Sequence, residues 1–253
     1  MSKKLAEDLD HLVLDVKTGH GAFIQRFSES KKLAAALCET GRSFGVTTKA
    51  LVTDMSEPLG RFSGNAVEVY ECIKILRGEA DEMMADTVEL SIALSAELLV
   101  QAKIAKDEVS AREMIFRVID SGQALELFKK NIELQGGDPK VCDRPDSLLT
   151  KKLYGLEIKA DGDGYISDIN SLTFGEAVCE IGGGRMKAED GVDHAVGFES
   201  LAKIGDRVKN GQTLAVLNAR NRTQAESVSQ KLHFAIKISP EPTVRHKLIR
   251  AKV

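Results

Sequence analysis

The stretch LVLDVKTGHGAF, Leu12–Phe23, decides how the first half of this chain is read. Leu12 to Val16 is short, apolar and rich in β-branched residues, which predicts a buried strand. Two glycines around His20 then open a loop. The next run, SESKKLAAALCETGRSFG, predicts a helix capped by Ser28 or Ser30 and ending near Gly45. TTKALVTD follows as a second strand. Strand, glycine loop, helix and strand in that order make a βαβ unit, the building block of a parallel sheet.

Three readings of TGHGAF stand side by side. A phosphate cradle needs backbone N–H groups converging at the start of a helix. The run has neither G-x-G-x-x-G nor G-x-x-x-x-G-K-[ST], and the predicted helix begins several residues later. His20 carries an imidazole, which could move a proton, but no nucleophile or carboxylate adjoins it in sequence. The third reading is a flexible turn after a buried strand. In α/β sheets, loops leaving strand C-termini line the ligand crevice, which favours a site role for the loop as a whole.

Farther along, a short helix is predicted over SKKLAEDL with Ser2 as its cap. NAVEVYECIKILRG reads as a helix, with Val67, Tyr70 and Ile73 or Ile75 on one face and Gly78 at its end. Three further helical stretches lie between about Asp86 and Leu134, separated by AKDEVS and DSGQ and stopped by QGGDP. After about Lys151 the pattern becomes short β-rich runs divided by glycine. IGDRVKNGQTLAVL has strand–turn–strand form around Asn210-Gly211, and TQAESVSQKLHFAIKIS predicts a closing helix. The fold class expected is α/β: a partial mixed or parallel sheet with a helical cluster, followed by a small β-rich domain resembling a barrel sandwich.

Composition narrows the function. The chain has 253 residues, 43% hydrophobic and 29% charged, which marks a globular protein long enough to bury a core. With 35 basic and 38 acidic residues the net charge is −3, so no basic excess points to nucleic acid. Aromatics are 5% and tryptophan is absent, which argues against a stacking platform for single strands. Cys38, Cys72, Cys142 and Cys179 have no C-x-x-C spacing, so zinc is not indicated and a reduced, cytoplasmic setting is expected. The opening MSKKLAEDLDHL lacks a signal-peptide apolar core, and SIALSAELLVQAKIA is too interrupted for a membrane span.

Three longer runs carry a more specific likeness. SKKLAEDLDHLVLDVKTGHGAF, ALVTDMSEPLGRFSGNAVEVYECIKILRGE and GGGRMKAEDGVDHAVGF with KIGDRVKNGQTLAVL closely resemble the pyrimidine nucleoside phosphorylases, thymidine phosphorylase included, over essentially the whole chain. The resemblance implies a remnant of a helical domain at 1–8, an incomplete central α/β domain at 9–150 and the family's C-terminal domain at 151–253. Members of that family are longer at the N-terminus, where most of the phosphate site and a histidine thought to act as the acid are found. The resemblance therefore implies a C-terminal portion of the family fold, with no certain catalytic residue of its own.

It also implies a reaction: phosphorolysis of thymidine, deoxyuridine or uridine to the free base and a pentose 1-phosphate. Inorganic phosphate is the co-substrate, no organic cofactor is needed, and family members are homodimers. Lys3 lies where the family's base-binding lysine lies, and Phe23 where a phenylalanine walls the pyrimidine pocket. Some members bind potassium at positions matching Leu59 and Phe62, through carbonyls, and Glu71, through its carboxylate. His20 replaces a small residue usual in the family. Asp54 and Glu68 are read as structural carboxylates. IGDRVKNGQTLAVL also resembles biotinyl and lipoyl carriers, whose modified lysine follows such a run; here NARNRT stands in that place and Lys187 precedes it. A chain inactive by itself, or in need of an N-terminal partner, is the alternative reading.

Overall fold

Ala50, Leu51, Val52 and Thr53 are buried in succession, which is the mark of a strand covered on both faces. They belong to a computed structural model that describes residues 1–149 and 152–253. In chain order the first elements are α1 (Ser2–Leu5), β1 (His11–Thr18), α2 (Phe27–Ser43), β2 (Thr47–Asp54), β3 (Phe62–Gly64) and α3 (Ala66–Leu76). The helices α4 (Ala85–Gln101), α5 (Glu108–Asp120) and α6 (Gln123–Leu134) follow. Then come β4 (Tyr154–Lys159), β5 (Gly164–Ile169), α7 (Ser171–Val178), β6 (Gly197–Ser200) and β7 (Arg207–Val208). The chain ends with β8 (Thr213–Ala219), α8 (Arg222–Phe234), β9 (Ile236–Ser239) and β10 (Ile249–Lys252).

Two compact units result. The first comprises Met1–Ser56, Asp86–Val118 and His246–Val253; the second comprises Glu57–Ala85 and Ile119–Arg245. The domain boundary expected at residues 150 and 151 lies outside the described residues.

In the first unit β2 is the middle strand of the order β1-β2-β10. β1 pairs with it in parallel from His11↔Thr47 to Thr18↔Asp54, as a βαβ unit requires. β10 pairs with its other edge in antiparallel sense, so the sheet is mixed. α2 lies on one face, with Ala34 and Cys38 packed against Val16, Ala50 and Val52. Small residues at those helix positions let helix and sheet approach closely. α4 and α5 pack through Ala96, Ala105 and Ala111, and Arg112 of α5 forks onto both carboxylate oxygens of Glu89 at 3.0 and 2.7 Å. The helical cluster read from the sequence is thus present.

Several local expectations are corrected. α2 begins one residue after Arg26 rather than at a serine cap; the Ser30 hydroxyl instead donates to the carbonyls of Ile24 and Arg26 at 2.9 and 3.2 Å. α1 has only four residues, with Met1 rather than Ser2 as cap. The segment Ser171–Val178 was expected to be β-rich but is a helix, capped by the Asn170 side chain. α8 stops at Phe234, and Ile236–Ser239 continues as a strand.

The main correction concerns the second unit. No sheet among its described residues closes into a barrel. An open four-stranded sheet, ordered β3-β6-β8-β4, stands beside a separate three-stranded sheet, ordered β7-β5-β9. The reason is visible at Asn210-Gly211. Gly211 sits at φ +78° and the Gln212 N–H closes the turn on the Lys209 carbonyl at 2.9 Å. The turn is therefore as expected, but its arms do not pair: β7 joins β5, whereas β8 joins β4 and β6. Ile158, Ile166, Phe174, Phe198, Leu217, Val228 and Leu232 then form one apolar cluster contributed by both sheets, α7 and α8. Side chains and helices close this core, so backbone ladders need not.

Deleting Ile249–Val253 is expected to expose the edge of β2 and to lower the thermal midpoint by about 5–10 °C in circular dichroism. An unchanged melt would mean that β10 is dispensable to the sheet.

Candidate functional site

The loop that follows β1 is held by the strand beside it. The Met55 N–H donates to the Thr18 carbonyl at 2.6 Å, and the Gly21 N–H donates to the Met55 carbonyl at 3.0 Å. Within the loop, the Gly19 N–H and the Thr18 hydroxyl both donate to the Gln25 carbonyl at 3.0 Å. Gly19 is required where it stands. Its φ is +102°, and a Cβ there would lie 2.6 Å from Ser56 Oγ and 2.7 Å from the Ser56 nitrogen. The ends of β1 and β2 are thereby pinned together.

His20 contributes its carbonyl, which accepts from Gln25 Nε2 at 3.3 Å. Asp54 accepts from the Ser56 N–H and hydroxyl, each at 3.2 Å, and from Arg250 of β10 at 3.2 Å. These partners tie the loops leaving β2 to the sheet. Phe23 projects from the pinned loop with its side chain fully exposed, at 105%. It is not an apolar anchor of the loop. Lys3 lies exposed on α1, a helix with no buried residue. Lys3 and Phe23 belong to the first unit, and Leu59, Phe62 and Glu71 to the second.

Glu71 and Phe62 are brought into contact, but through the amide: the Phe62 N–H donates to Glu71 Oε2 at 2.8 Å. Glu71 is 3% exposed. Glu68 accepts from the Gly64 N–H at 3.0 Å, which fastens the start of α3 to β3. The Leu59 carbonyl is taken by a residue the sequence reading did not single out. Lys203 Nζ donates to the carbonyls of Pro58 and Leu59 at 2.6 and 2.7 Å, and Lys203 is 8% exposed.

Around it stands a buried ionic group. Glu57, 6% exposed, accepts from the Ile204 N–H at 2.9 Å and from the Arg245 guanidinium. Burial pushes the Glu57 carboxyl above its ordinary value, against the pull of the Ile204 N–H and of the Arg245 and Lys203 charges. Arg61, two residues beyond Leu59, pairs with Glu199 and Asp81, and the Ser200 N–H donates to its carbonyl at 2.6 Å.

The Leu59 carbonyl, one of the oxygens that the family likeness implies for potassium, thus accepts from a buried ammonium. Nothing in the sequence motif flagged Lys203, because it lies 144 positions from Leu59. Its only local signal is its place beside the Gly205-Asp206 turn, whose Asp206 carboxylate accepts the Lys203 N–H at 2.8 Å.

The family model described as "Glycosyl transferase family, a/b domain" matches residues 1–125, and "Pyrimidine nucleoside phosphorylase C-terminal domain" matches residues 165–239. The thymidine phosphorylase of Rhizobium meliloti (strain 1021) is 39% identical over 253 residues, all of this chain and 57% of that protein. Along its whole length the chain is thus similar to a pyrimidine nucleoside phosphorylase. The pyrimidine-nucleoside phosphorylase of Geobacillus stearothermophilus is 41% identical over 253 residues, again 57% of its length. That of Staphylococcus aureus (strain USA300) is 40% identical over 252 residues, covering 98% of this chain and 57% of the relative. The chain thus spans less than two thirds of each of these phosphorylases. Among the described residues no helix is long and apolar enough to cross a membrane.

Gly19→Ala is expected to cost about 1–3 kcal/mol in urea unfolding, since both the backbone angle and the Ser56 contact oppose it. A neutral result would show that the loop can move away from β2 freely.

Proposed function

We propose that this chain forms part of an enzyme for reversible phosphorolysis of pyrimidine nucleosides: thymidine, deoxyuridine and uridine. Identity of 39–41% along essentially the whole chain to relatives named thymidine or pyrimidine-nucleoside phosphorylase carries the reading. In that reaction a phosphate oxygen forms a bond to C1′ of the sugar while the C1′–N bond to the base breaks. The bonding pair leaves with the base, and the product sugar carries phosphate at C1′. The chemical demand is to hold the departing base and to stabilise the negative charge it gathers.

Lys3 and Phe23 are the residues of this chain assigned to that task. An ammonium at a base carbonyl oxygen gains as charge develops there, so it favours the transition state over the bound nucleoside. A solvent-facing phenyl ring supplies a flat apolar wall for a planar base. The loop geometry supports this role for Phe23, because the ring is outward and its backbone is fixed. Inorganic phosphate is the co-substrate, and no organic cofactor enters. The expected divisions at 1–8, 9–150 and 151–253, a cytoplasmic setting and a homodimeric assembly belong to the same reading.

The isolated chain is a second matter. Contacts to phosphate and base act together in catalysis, so a chain spanning 57% of its relatives should retain little of their activity. Thymine release from thymidine and phosphate by the purified chain is expected near background. Supplying in trans the part of the Geobacillus relative that the chain does not span should restore it. In that mixture Lys3→Met should lower kcat by roughly 10²–10³-fold. Phe23→Ala should chiefly raise KM. Robust turnover by the chain alone would refute the dependence; a silent mixture with demonstrable association would refute the reaction.

A further inference from the structure

We infer that Lys203 is the resident cation of the Pro58–Leu59 carbonyl site, its ammonium standing where a free monovalent cation would otherwise be bound. The two carbonyl oxygens lie 2.6 and 2.7 Å from Nζ. Carbonyl oxygens of this kind accept either ammonium donors or a weakly hydrated monovalent ion of similar size, because both present one positive charge to the same lone pairs. The lysine is not a surface side chain that happens to reach a loop, for it is 8% exposed.

Its own backbone is fixed at the same place. The Lys203 N–H donates to Asp206 Oδ2 at 2.8 Å, and the Asp206 N–H returns to the Lys203 carbonyl at 3.1 Å. The next residue binds the other side of the segment: the Ile204 N–H donates to Glu57 Oε2 at 2.9 Å. Residues 203 and 204 therefore hold Glu57, Pro58 and Leu59 in succession. A site with its charge built in needs no exchangeable ion to fix the segment between β2 and β3. Tethering the charge to the chain also removes the cost of recruiting an ion from solution.

The test is a set of thermal melts of the purified chain in potassium, sodium and tetramethylammonium chloride at equal ionic strength. The unsubstituted chain should melt at one temperature, within about 1 °C, in all three salts. Lys203→Ala should melt lower, and potassium, but not tetramethylammonium, should recover part of the loss in a saturable way. Lys203→Met, which keeps the stem, serves if the alanine variant does not fold, and should show the same selectivity. A saturable, potassium-specific stabilisation of the unsubstituted chain would overturn the inference. So would a variant that melts unchanged, or one whose loss no small cation repairs. None of these readouts uses turnover, so failure of the phosphorylase reading leaves the result interpretable.

Discussion

One strand carries the first unit. β2 has β1 along one edge, in parallel, and β10 along the other, antiparallel, and these partners are separated from each other by over 200 positions. The chain cannot complete this sheet until its last residues have returned. The Ala50 N–H waits for the Val253 carbonyl at 2.9 Å, and the Val253 N–H for the Ala50 carbonyl at 2.8 Å. Contacts so distant in sequence impose a large loop-closure cost before they stabilise anything, which predicts slow and cooperative formation of the unit. The loop bearing Phe23 depends on the same strand, since its anchors are Met55 and Ser56 just past the end of β2. Asp54, which receives Arg250 from β10, connects the returning terminus to that anchor.

The second unit handles a different constraint. Glu57 and Lys203 are both almost fully buried, and removing such charges from water is costly. Here each has several partners: Glu57 meets Ile204 and Arg245, and Lys203 meets two carbonyls. Arrangements of this sort rarely add much net stability over apolar residues of the same size. What they impose is a unique geometry, because any displaced partner leaves another charge buried and unmatched.

Local pattern was enough to read the βαβ unit, the three helices between Asp86 and Leu134, and the turn at Gly211. These depend on periodicity, β-branching and glycine, all of which act within a few residues. The misreadings share a cause. That β7 and β8 would part at a well-formed turn depends on which partners each strand finds far away in sequence. Tyr165 pairs with both Arg207 and Ser239, while Leu217 pairs with Leu156 and Phe198. Ser171–Val178 carries Phe174 and Ala177 into the core at helical spacing, yet its flanking glycines and β-branched residues look strand-like. In the candidate site, residue likeness named Lys3, Phe23, Leu59, Phe62 and Glu71. It could not name Lys203 or Arg245, whose parts exist only after long-range packing.

On the proposed reading, the two base-site residues of this chain are held unequally. Phe23 is presented by a loop with both ends tied down, so its ring can meet a base with little ordering cost. Lys3 stands on a four-residue helix that buries nothing. A helix of that length is not stable by its own hydrogen bonds, and an ammonium on it is not held in one place. Recognition of a flat apolar face tolerates such looseness; stabilisation of developing charge does not, because its advantage comes from donors already aimed before the charge appears. Binding of a base and turnover of a nucleoside should therefore part company here. On that reading, whatever fixes α1 against the ligand would convert the first into the second, since it would change the position of Lys3 without altering the surface that Phe23 presents.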